Sequence, residues 1–353
     1  MITLFRKIRQ KFLSQSKLSK YLFYAIGEIV LVVIGILIAV QLNTANQQNT
    51  NRKHVESILK SVFVNLESDM SNPILRYIGF CEFKDSLNNL VLNNALDYAD
   101  YEAGGEGRRG LSRLMNYEFE PFQFEDQAYE RLMASIEIIP DEYMPIVNML
   151  QDVYSKEVPV VNEVAMEVKA FVDEIDDKYQ TTYDWYSNTD PSHFRQRVEY
   201  MLNDPKHLND VRRHLEIINH LLEHLTTLKS NVAIAYSKIH SQLMHDEPFS
   251  ELIERFYFPD EGALKEYAGI YKGVDNRDVK FEFLSREYYL ALASSGSALK
   301  FINTNTDRFM LPSDTEGNYI EFVRNENGEI TGLNIFRVGQ NGEASSTAYK
   351  KTE

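Results

Sequence analysis

A chain of 353 residues with 44% hydrophobic residues is long enough for two or three compact units and too apolar to be disordered throughout. Its net charge of −15 is uneven, because the first 20 residues carry six lysine or arginine residues and no acid, which leaves −21 on the remainder. That acidic remainder argues against nucleic-acid binding, since phosphates would repel it. The single cysteine, Cys81, excludes an intrachain disulfide and a cysteine metal cage.

The first predicted element is an apolar segment, residues 21–42, which would be about 33 Å long as a helix and so matches the hydrocarbon core of a bilayer. A cleavable signal peptide is the alternative, but Val40-Gln41-Leu42-Asn43 lacks the small residues that precede a cleavage site. We therefore predict a retained transmembrane helix. The basic tail, residues 1–20, places the N-terminus in the cytoplasm and residues 43–353 on the other side.

An acid, Glu28, interrupts this apolar segment, where a charge near the middle of a span costs on the order of 3 kcal/mol. On a helical wheel Glu28, Gly35 and Ala39 share one narrow face, and the small residues at 35 and 39 let two helices approach closely. One interpretation is that Glu28 forms a hydrogen bond across a helix pair, which predicts a homo-oligomer. The other interpretation is that Glu28 is tolerated without a partner helix, because its side chain reaches the headgroups or stays protonated.

The stretch FRKIRQKFLSQSKLSKYLFYAIGEIVLVVIGILIAVQLN, residues 5–43, resembles the opening of a family of bacterial single-span envelope proteins without an established activity. The stretches AYERLMASIEI, 128–138, and LNDPKHLNDVRRHLEIINHLLEHL, 202–225, fit the same family more loosely. The resemblance implies a bacterial inner-membrane protein with a helical region outside the cytoplasm. Its expected partners are the lipid bilayer and an envelope protein of unknown identity.

In residues 43–250 apolar side chains recur at helical spacing, and we predict an antiparallel bundle of about four helices. Apolar positions three and four apart define the first helix, up to a break at Pro73: Val55, Ile58, Leu59, Val62, Leu66 and Met70. The second helix is predicted to run to about Asp97. Further helices are predicted from about Phe124 and from Pro140 to about Tyr186, with an interruption near Pro159.

The last helix has the most regular pattern, a 4-3 alternation typical of the seam of a bundle or coiled coil. Lys229 is the one position of this seam that is not apolar or aromatic. The predicted seam consists of Val211, Leu215, Ile218, Leu222, Leu225, Lys229, Val232, Tyr236, Ile239 and Leu243.

Two short motifs are associated with enzymes in other proteins. Residues 105–110 spell GxGxxG, but no buried strand precedes them, so we interpret them as an interhelix loop rather than a dinucleotide site. Residues 57–60 fit SxxK and residues 186–188 fit YxN, the pattern of penicillin-binding-type serine hydrolases. Those enzymes need a sheet to bring the groups together, whereas these motifs lie on or at the end of predicted helices.

Glu216, His220 and His224 lie one turn apart on the last helix, so one helical face could offer three metal ligands. Both histidines fall outside the predicted seam. Two solvent-facing histidines without a metal are therefore the favoured interpretation, and no cofactor is predicted.

Aromatic residues concentrate at two predicted helix ends, in NYEFEPFQFED and KYQTTYDWYS. They could form a patch that binds a partner, or they could fill the ends of the bundle, which is the favoured interpretation. The residues concerned are Phe119, Phe122, Phe124, Tyr183, Trp185 and Tyr186.

After a linker, residues 251–262, apolar residues no longer recur three and four apart but alternate with polar ones, as in strands. Asn327-Gly328 is typical of the turn of a hairpin. Seven or eight short strands in 263–353 predict a small antiparallel barrel or sandwich, and hence an α+β chain. This part resembles the lipocalin-like module found behind some serine-hydrolase domains, which implies a barrel-like fold and no catalysis. The residues that carry the resemblance are Leu264, Tyr267, Gly269, Tyr271, Phe322, Asn327, Gly328, Ile330, Gly332 and Leu333.

These patterns favour a membrane-anchored extracytoplasmic scaffold or sensor that acts through protein contacts and is not an enzyme. The alternative is a binding protein whose barrel holds a small apolar ligand or a peptide. An enzyme is the third and least favoured class. A barrel filled by its own side chains would favour the scaffold, and an empty apolar lumen would favour the binding protein.

Overall fold

The computed structural model describes residues 18–105, 119–186, 191–259, 261–273, 278–284, 289–292, 299–311, 318–338 and 344–352. The chain divides into two compact units, one of Met1–Ser57 with Ser135–Pro140 and one of Ile58–Ala134 with Asp141–Glu353. The fold is α+β, with helices followed by an antiparallel sheet, as the sequence predicts.

The first unit contains most of a long helix, α1 (Leu18–Asp69), and a 3-10 turn, Ile136–Ile138. The most apolar stretch of α1 has no buried part. This helix is long and apolar enough to cross a membrane. Within its apolar segment, the exposed large apolar residues are Ile26, Ile29, Val30, Leu31, Val32, Val33, Ile34, Ile36, Leu37, Ile38, Val40 and Leu42.

The second unit begins with a kinked helix and continues through a helical bundle. After α1, a kink at Met70–Ile74 contains Pro73 and leaves Asn72 in an extended conformation, which confirms the predicted break. The helices that follow are α2 (Leu75–Leu92), α3 (Tyr98–Gly105), α4 (Gln127–Ala134), α5 (Met144–Gln151), α6 (Val158–Thr182), α7 (Pro191–Asn203) and α8 (Pro205–Leu243). A π-helical segment, Asp152–Glu157, joins α5 to α6.

Several helix ends differ from the prediction. The second helix ends at Leu92 rather than near Asp97, because Asn94 adopts a left-handed conformation with φ of 50°. The run predicted from Pro140 begins with a 3-10 turn, Asp141–Tyr143, and α6 ends at Thr182, after which Tyr183 is extended. The predicted interruption lies just before Pro159, which sits in the first turn of α6, where a missing N–H costs nothing.

The seam of α8 is offset from the predicted one. Val211, Ile218, Leu225, Val232, Tyr236 and Ile239 are buried as predicted, but the predicted positions 215, 222 and 229 shift by one residue to 214, 221 and 228. Leu228, not Lys229, occupies the core, and Leu215 and Leu222 are only half-buried. The complete buried 4-3 series is His207, Val211, His214, Ile218, Leu221, Leu225, Leu228, Val232, Ala235 and Ile239.

The described C-terminal strands form a closed antiparallel barrel in which each strand pairs with the next and the last pairs with the first. A short helix, α9 (Glu261–Tyr267), precedes it. The strands are β1 (Gly269–Gly273), β2 (Asp278–Leu284), β3 (Tyr289–Leu292), β4 (Leu299–Asn305), β5 (Arg308–Met310), β6 (Tyr319–Arg324), β7 (Ile330–Val338) and β8 (Ala344–Lys351).

Aromatic side chains fill much of the described barrel interior. Phe322 makes edge-to-face contacts with four other rings, at centroid distances of 4.9–5.7 Å, which is the favoured geometry for aromatic pairs. These rings belong to Tyr267, Tyr271, Phe281 and Phe309, all buried.

Arg324 fastens α9 to the barrel. Its Nε donates to both carboxylate oxygens of Asp307 at 2.9 and 3.0 Å, and its Nη1 donates to Glu266 Oε2 at 3.1 Å. The Tyr267 hydroxyl donates to Asp307 Oδ1 at 2.8 Å. Asp307 is held in a left-handed conformation with φ of 61° by the turn between β4 and β5.

The predicted hairpin at Asn327-Gly328 connects β6 and β7. The Gly328 N–H donates to the Asn325 carbonyl at 2.9 Å, and Gly328 has φ of 83°, a conformation that glycine adopts without strain. The Asn325 side-chain oxygen accepts from the N–H groups of Asn327 and Glu329. The turn is therefore a three-residue loop in which glycine takes the left-handed position.

Candidate functional site

A buried carboxyl group, Asp69, lies at the kink between α1 and α2. Its side chain is 2% exposed. Its Oδ1 accepts from the Glu125 N–H at 2.9 Å, and its Oδ2 accepts from the Tyr154 hydroxyl at 3.3 Å. Asp69 therefore joins three separate parts of the chain at one point.

The kink after α1 and the π-helical segment Asp152–Glu157 meet at this carboxyl group. Asp69 immediately precedes the kink, and Tyr154 lies within the π-helical segment. The Tyr154 ring stacks on Tyr129 with centroids 4.9 Å apart, and the Tyr129 hydroxyl lies 2.7 Å from Ser155 Oγ. A widened helical turn such as Asp152–Glu157 occurs often at functional positions, so we treat the group Asp69, Tyr129, Tyr154 and Ser155 as a candidate site.

The extended residues before α4 are held against α1 at the same place. Asn65 Nδ2 donates to the Glu125 carbonyl at 2.9 Å, and the Ser68 hydroxyl donates to Glu125 Oε1 at 2.8 Å. Together with the bond from the Glu125 N–H to Asp69, these contacts fix both the backbone and the side chain of Glu125.

Burial raises the pKa of Asp69 to about 6, and the negative charges of Glu125 and Asp126 add to that effect. The hydrogen bonds from the Glu125 N–H and the Tyr154 hydroxyl act in the opposite direction. Burial also raises the pKa of Tyr154, so its hydroxyl remains a donor. The arrangement can bind and release a proton near neutral pH.

The sequence analysis missed Asp69, although a signal was present. Val62 and Leu66 are core positions of α1, and the next position in the same 4-3 series is residue 69. An acid at a core position, followed directly by Met70 and then by Asn72-Pro73, marks a buried carboxyl group at a break in the helix.

Two buried histidines, His207 and His214, occupy the seam of α8 one heptad apart. The Asn88 side-chain amide lies 3.1 Å from His214 Nδ1, and the His214 ring stacks on Phe171. His207 Nδ1 lies 3.3 Å from the Tyr179 hydroxyl. Burial lowers the pKa of His207 to about 4 and that of His214 to about 3, so both rings are neutral at pH 7.

The six aromatic residues predicted as a patch form two groups. Phe119, Phe122 and Phe124 are linked by edge contacts at 5.5–6.5 Å. Tyr183 stacks on Trp185 at 4.6 Å, and both lie near Tyr200 at the end of α7. Among the ring contacts of the described residues, none joins one group to the other.

Packing at the bundle ends accounts for these aromatic residues better than an exposed patch does. Phe119 and Trp185 are buried, and the other four are half-buried. The Tyr186 hydroxyl donates to Asp176 in α6. A partner-binding role for the half-buried members remains a prediction.

The proposed metal ligands are only partly brought together. His220 Nε2 and His224 Nε2 lie 3.2 Å apart, while Glu216 is exposed one turn earlier. Within the part of the chain that the structure describes, no group of three or more His, Cys, Asp and Glu side chains is arranged to hold a metal ion. A carboxylate from another element, Glu157, approaches His224 Nδ1 at 3.7 Å.

The other predicted motifs do not form sites. Gly105 ends α3, and residues 106–110 lie outside the described part of the chain. Residues 57–60 are inside α1, and residues 187–188 are also outside the described ranges. Glu28, Gly35 and Ala39 lie on the exposed surface of α1, so their role in helix association stays a prediction.

An open groove of about 300 Å³ lies between the α2–α3 and α7–α8 turns. Val91, Leu96, Met201 and Leu208 give it apolar walls, and Asp97 is among its polar groups. Its volume is at the lower limit for small-molecule sites.

Comparison of the chain with known protein families, with curated proteins and with solved structures finds no match.

Proposed function

We propose that the chain is a single-pass protein of the bacterial inner membrane whose residues 43–353 act outside the cytoplasm as a scaffold or sensor, through protein contacts and without catalysis. The observation that carries this proposal is the surface of α1, where twelve large apolar residues between Ile26 and Leu42 are exposed. Such a surface is stable in a bilayer and unfavourable in water. The basic residues 1–20 support a cytoplasmic N-terminus.

The β-barrel supports a scaffold over a ligand carrier. Its described interior is occupied by the rings around Phe322, so it leaves less room for a ligand than an empty lumen would. We infer that this module is lipocalin-like in architecture and serves as a stable part of the extracytoplasmic region.

We further propose that α1 associates with a second copy through the face of Glu28, Gly35 and Ala39. A side chain added at Gly35 would meet nothing within 4 Å, so the helix surface there is open. Two copies in contact along this face would bring the two Glu28 carboxyl groups into a shared, water-poor environment. A hydrogen bond between the two side chains would then link the two helices.

The membrane orientation can be tested by cysteine labelling, because the native Cys81 is buried and the Cys81→Ser variant supplies a clean background. Single cysteines at Ser14, Thr50 and Glu251 would be treated with a membrane-impermeant maleimide in cells with a permeabilised outer membrane. We expect Thr50→Cys and Glu251→Cys to react, and Ser14→Cys to react only after lysis. If Ser14→Cys alone reacted before lysis, the topology would be the reverse of the proposed one.

Helix association has its own test in a membrane reporter assay. Glu28→Leu and Gly35→Ile should weaken self-association, whereas Glu28→Gln keeps hydrogen-bonding groups and should retain more of the signal. Gly27→Ile is the matched control, since Gly27 is equally open but lies on a different face of the helix. Equal signals from all four variants would exclude this face.

A further inference from the structure

His220 and His224 form an ordered pair on the outer surface of α8. Their ring centroids are 4.9 Å apart, the rings are inclined at 66°, and the two Nε2 atoms face each other at 3.2 Å. His220 is exposed and His224 is 27% exposed, so the pair is open to solvent.

The spacing of the two nitrogens suits a shared metal ion. A transition metal ion binds imidazole nitrogen at about 2.0–2.1 Å, and two nitrogens 3.2 Å apart then subtend an angle of about 100° at the metal. This angle is close to tetrahedral. Both rings could therefore bind one ion in the conformations that they already adopt.

Glu157 supplies an independent indication. Its Oε2 is buried, forms no hydrogen bond, and lies 3.7 Å from His224 Nδ1. A carboxylate beside one ring nitrogen favours the proton there and leaves the lone pair of the other nitrogen for a metal, which is the usual outer-shell arrangement at histidine sites. Glu157 ends the π-helical segment Asp152–Glu157, so the backbone of that segment places it beside α8.

We propose that His220 and His224 bind a divalent transition metal ion through their Nε2 atoms, with Glu157 as the outer-shell carboxylate. Water fills the remaining coordination positions. Imidazole ligands suit Cu²⁺, Ni²⁺ and Zn²⁺, and Cu²⁺ should bind most tightly of the three. Two protein ligands give modest affinity and leave the ion open to a further ligand from solvent or from another molecule.

The test uses the full chain in detergent micelles at pH 7.5, purified without a histidine tag, with Zn²⁺ and Cu²⁺ added separately. Titration calorimetry should show that His220→Ala and His224→Ala each weaken Zn²⁺ binding at least tenfold. Glu157→Gln should weaken it about tenfold. His245→Ala is the matched control, because His245 is also exposed and also lies near a carboxylate, Asp246, at 3.6 Å. It should bind as the wild type does.

Coordination by two imidazoles can be read independently of affinity. The Cu²⁺ electron paramagnetic resonance spectrum of the wild type should show two nitrogen ligands, and that of either alanine variant should lose one. Wild-type binding no tighter than that of the double variant His220→Ala/His224→Ala would overturn the site. An unchanged affinity in Glu157→Gln would overturn the role of the carboxylate.

Discussion

At the residue scale, Asp69 gives the folded chain an unusual dependence on pH. Its pKa is about 6 in the folded state against an ordinary value of 3.8, so the folded state binds the proton more tightly than the unfolded state does. The contribution of Asp69 to stability is then fully present below about pH 4 and is lost as the pH rises through about 6. The difference between these two pKa values corresponds to about 3 kcal/mol in the free energy of unfolding.

Replacing Asp69 with Asn should remove this dependence, because the amide is nearly the same shape and carries no charge. We expect the stability of Asp69→Asn relative to wild type to increase by about 3 kcal/mol between pH 4 and pH 7.5. Urea unfolding can be followed by the fluorescence of Trp185, which is the only tryptophan and is buried.

The buried histidines change the stability with pH in the direction opposite to Asp69. For this reason the prediction concerns the difference in stability between Asp69→Asn and wild type. The folded-state pKa values of His207 and His214, about 4 and about 3, lie below the ordinary value of 6.5. Their contribution is present above about pH 6.5 and is lost as the pH falls through about 4. Both proteins carry these histidines, so their effect cancels in the comparison. Parallel stability curves for wild type and Asp69→Asn would contradict the pKa assigned to Asp69.

At the scale of the element, α8 shows what a periodic pattern can and cannot predict. The helix and one half of its seam follow from apolar residues three and four apart. In the other half Tyr236 is buried as predicted, but the positions before it were wrong by one residue, because Leu215 and Leu222 are as apolar as the true core positions and His207 and His214 look like surface residues. Only contacts with other helices, such as Phe171 and Asn88 against His214, distinguish the two phases.

The corrected seam predicts a large difference between two adjacent residues. Leu228→Ala should lower the free energy of unfolding by about 2–5 kcal/mol, because it leaves a cavity in the core. Lys229→Ala should change it by less than about 0.5 kcal/mol, because Lys229 is only half-buried and outside the seam. Urea unfolding of both variants checks this. A greater loss for Lys229→Ala would restore the seam predicted from the sequence.

Two glycines in regular elements should respond oppositely to alanine. A Cβ at Gly332 in β7 would lie 2.5 Å from the Tyr349 carbonyl oxygen of β8, so Gly332→Ala must push two paired strands apart, at a cost of about 1–3 kcal/mol. A Cβ at Gly79 in α2 meets nothing within 4 Å, and Gly79→Ala should stabilise the helix by up to about 1 kcal/mol.

Amide hydrogen exchange read by mass spectrometry separates these two effects by location. Peptides from β7 and β8 should exchange faster in Gly332→Ala, and peptides from α2 should exchange more slowly in Gly79→Ala. If β7 and β8 kept wild-type protection in Gly332→Ala, the close approach of these strands would be incorrect.

At the scale of the whole molecule, the order of the parts could be predicted because composition and periodicity change along the chain. An apolar segment, a helical region and an alternating region follow one another in the sequence and in the structure. The barrel closure between β1 and β8 and the meeting of Asp69 with Tyr154 could not be predicted, because they join residues far apart in sequence. The same holds for the approach of Glu157 to His224 Nδ1 at 3.7 Å, since these two residues lie on different elements.

The exposed apolar surface of α1 leads to a prediction about solubility and stability. Residues 24–42 contribute little packing to the fold, since the most apolar window of the helix is not buried. A fragment of residues 44–353 should therefore stay soluble without detergent and melt within about 4 °C of the full chain, which corresponds to a change of only one to two kcal/mol. The full chain should require detergent, because twelve apolar side chains would otherwise face water. Thermal unfolding followed by circular dichroism, with detergent present in both samples, compares the two proteins under equal conditions. A fragment that aggregates, or one that loses helical content well below the melting temperature of the full chain, would mean that the apolar segment holds the folded region together rather than anchoring it.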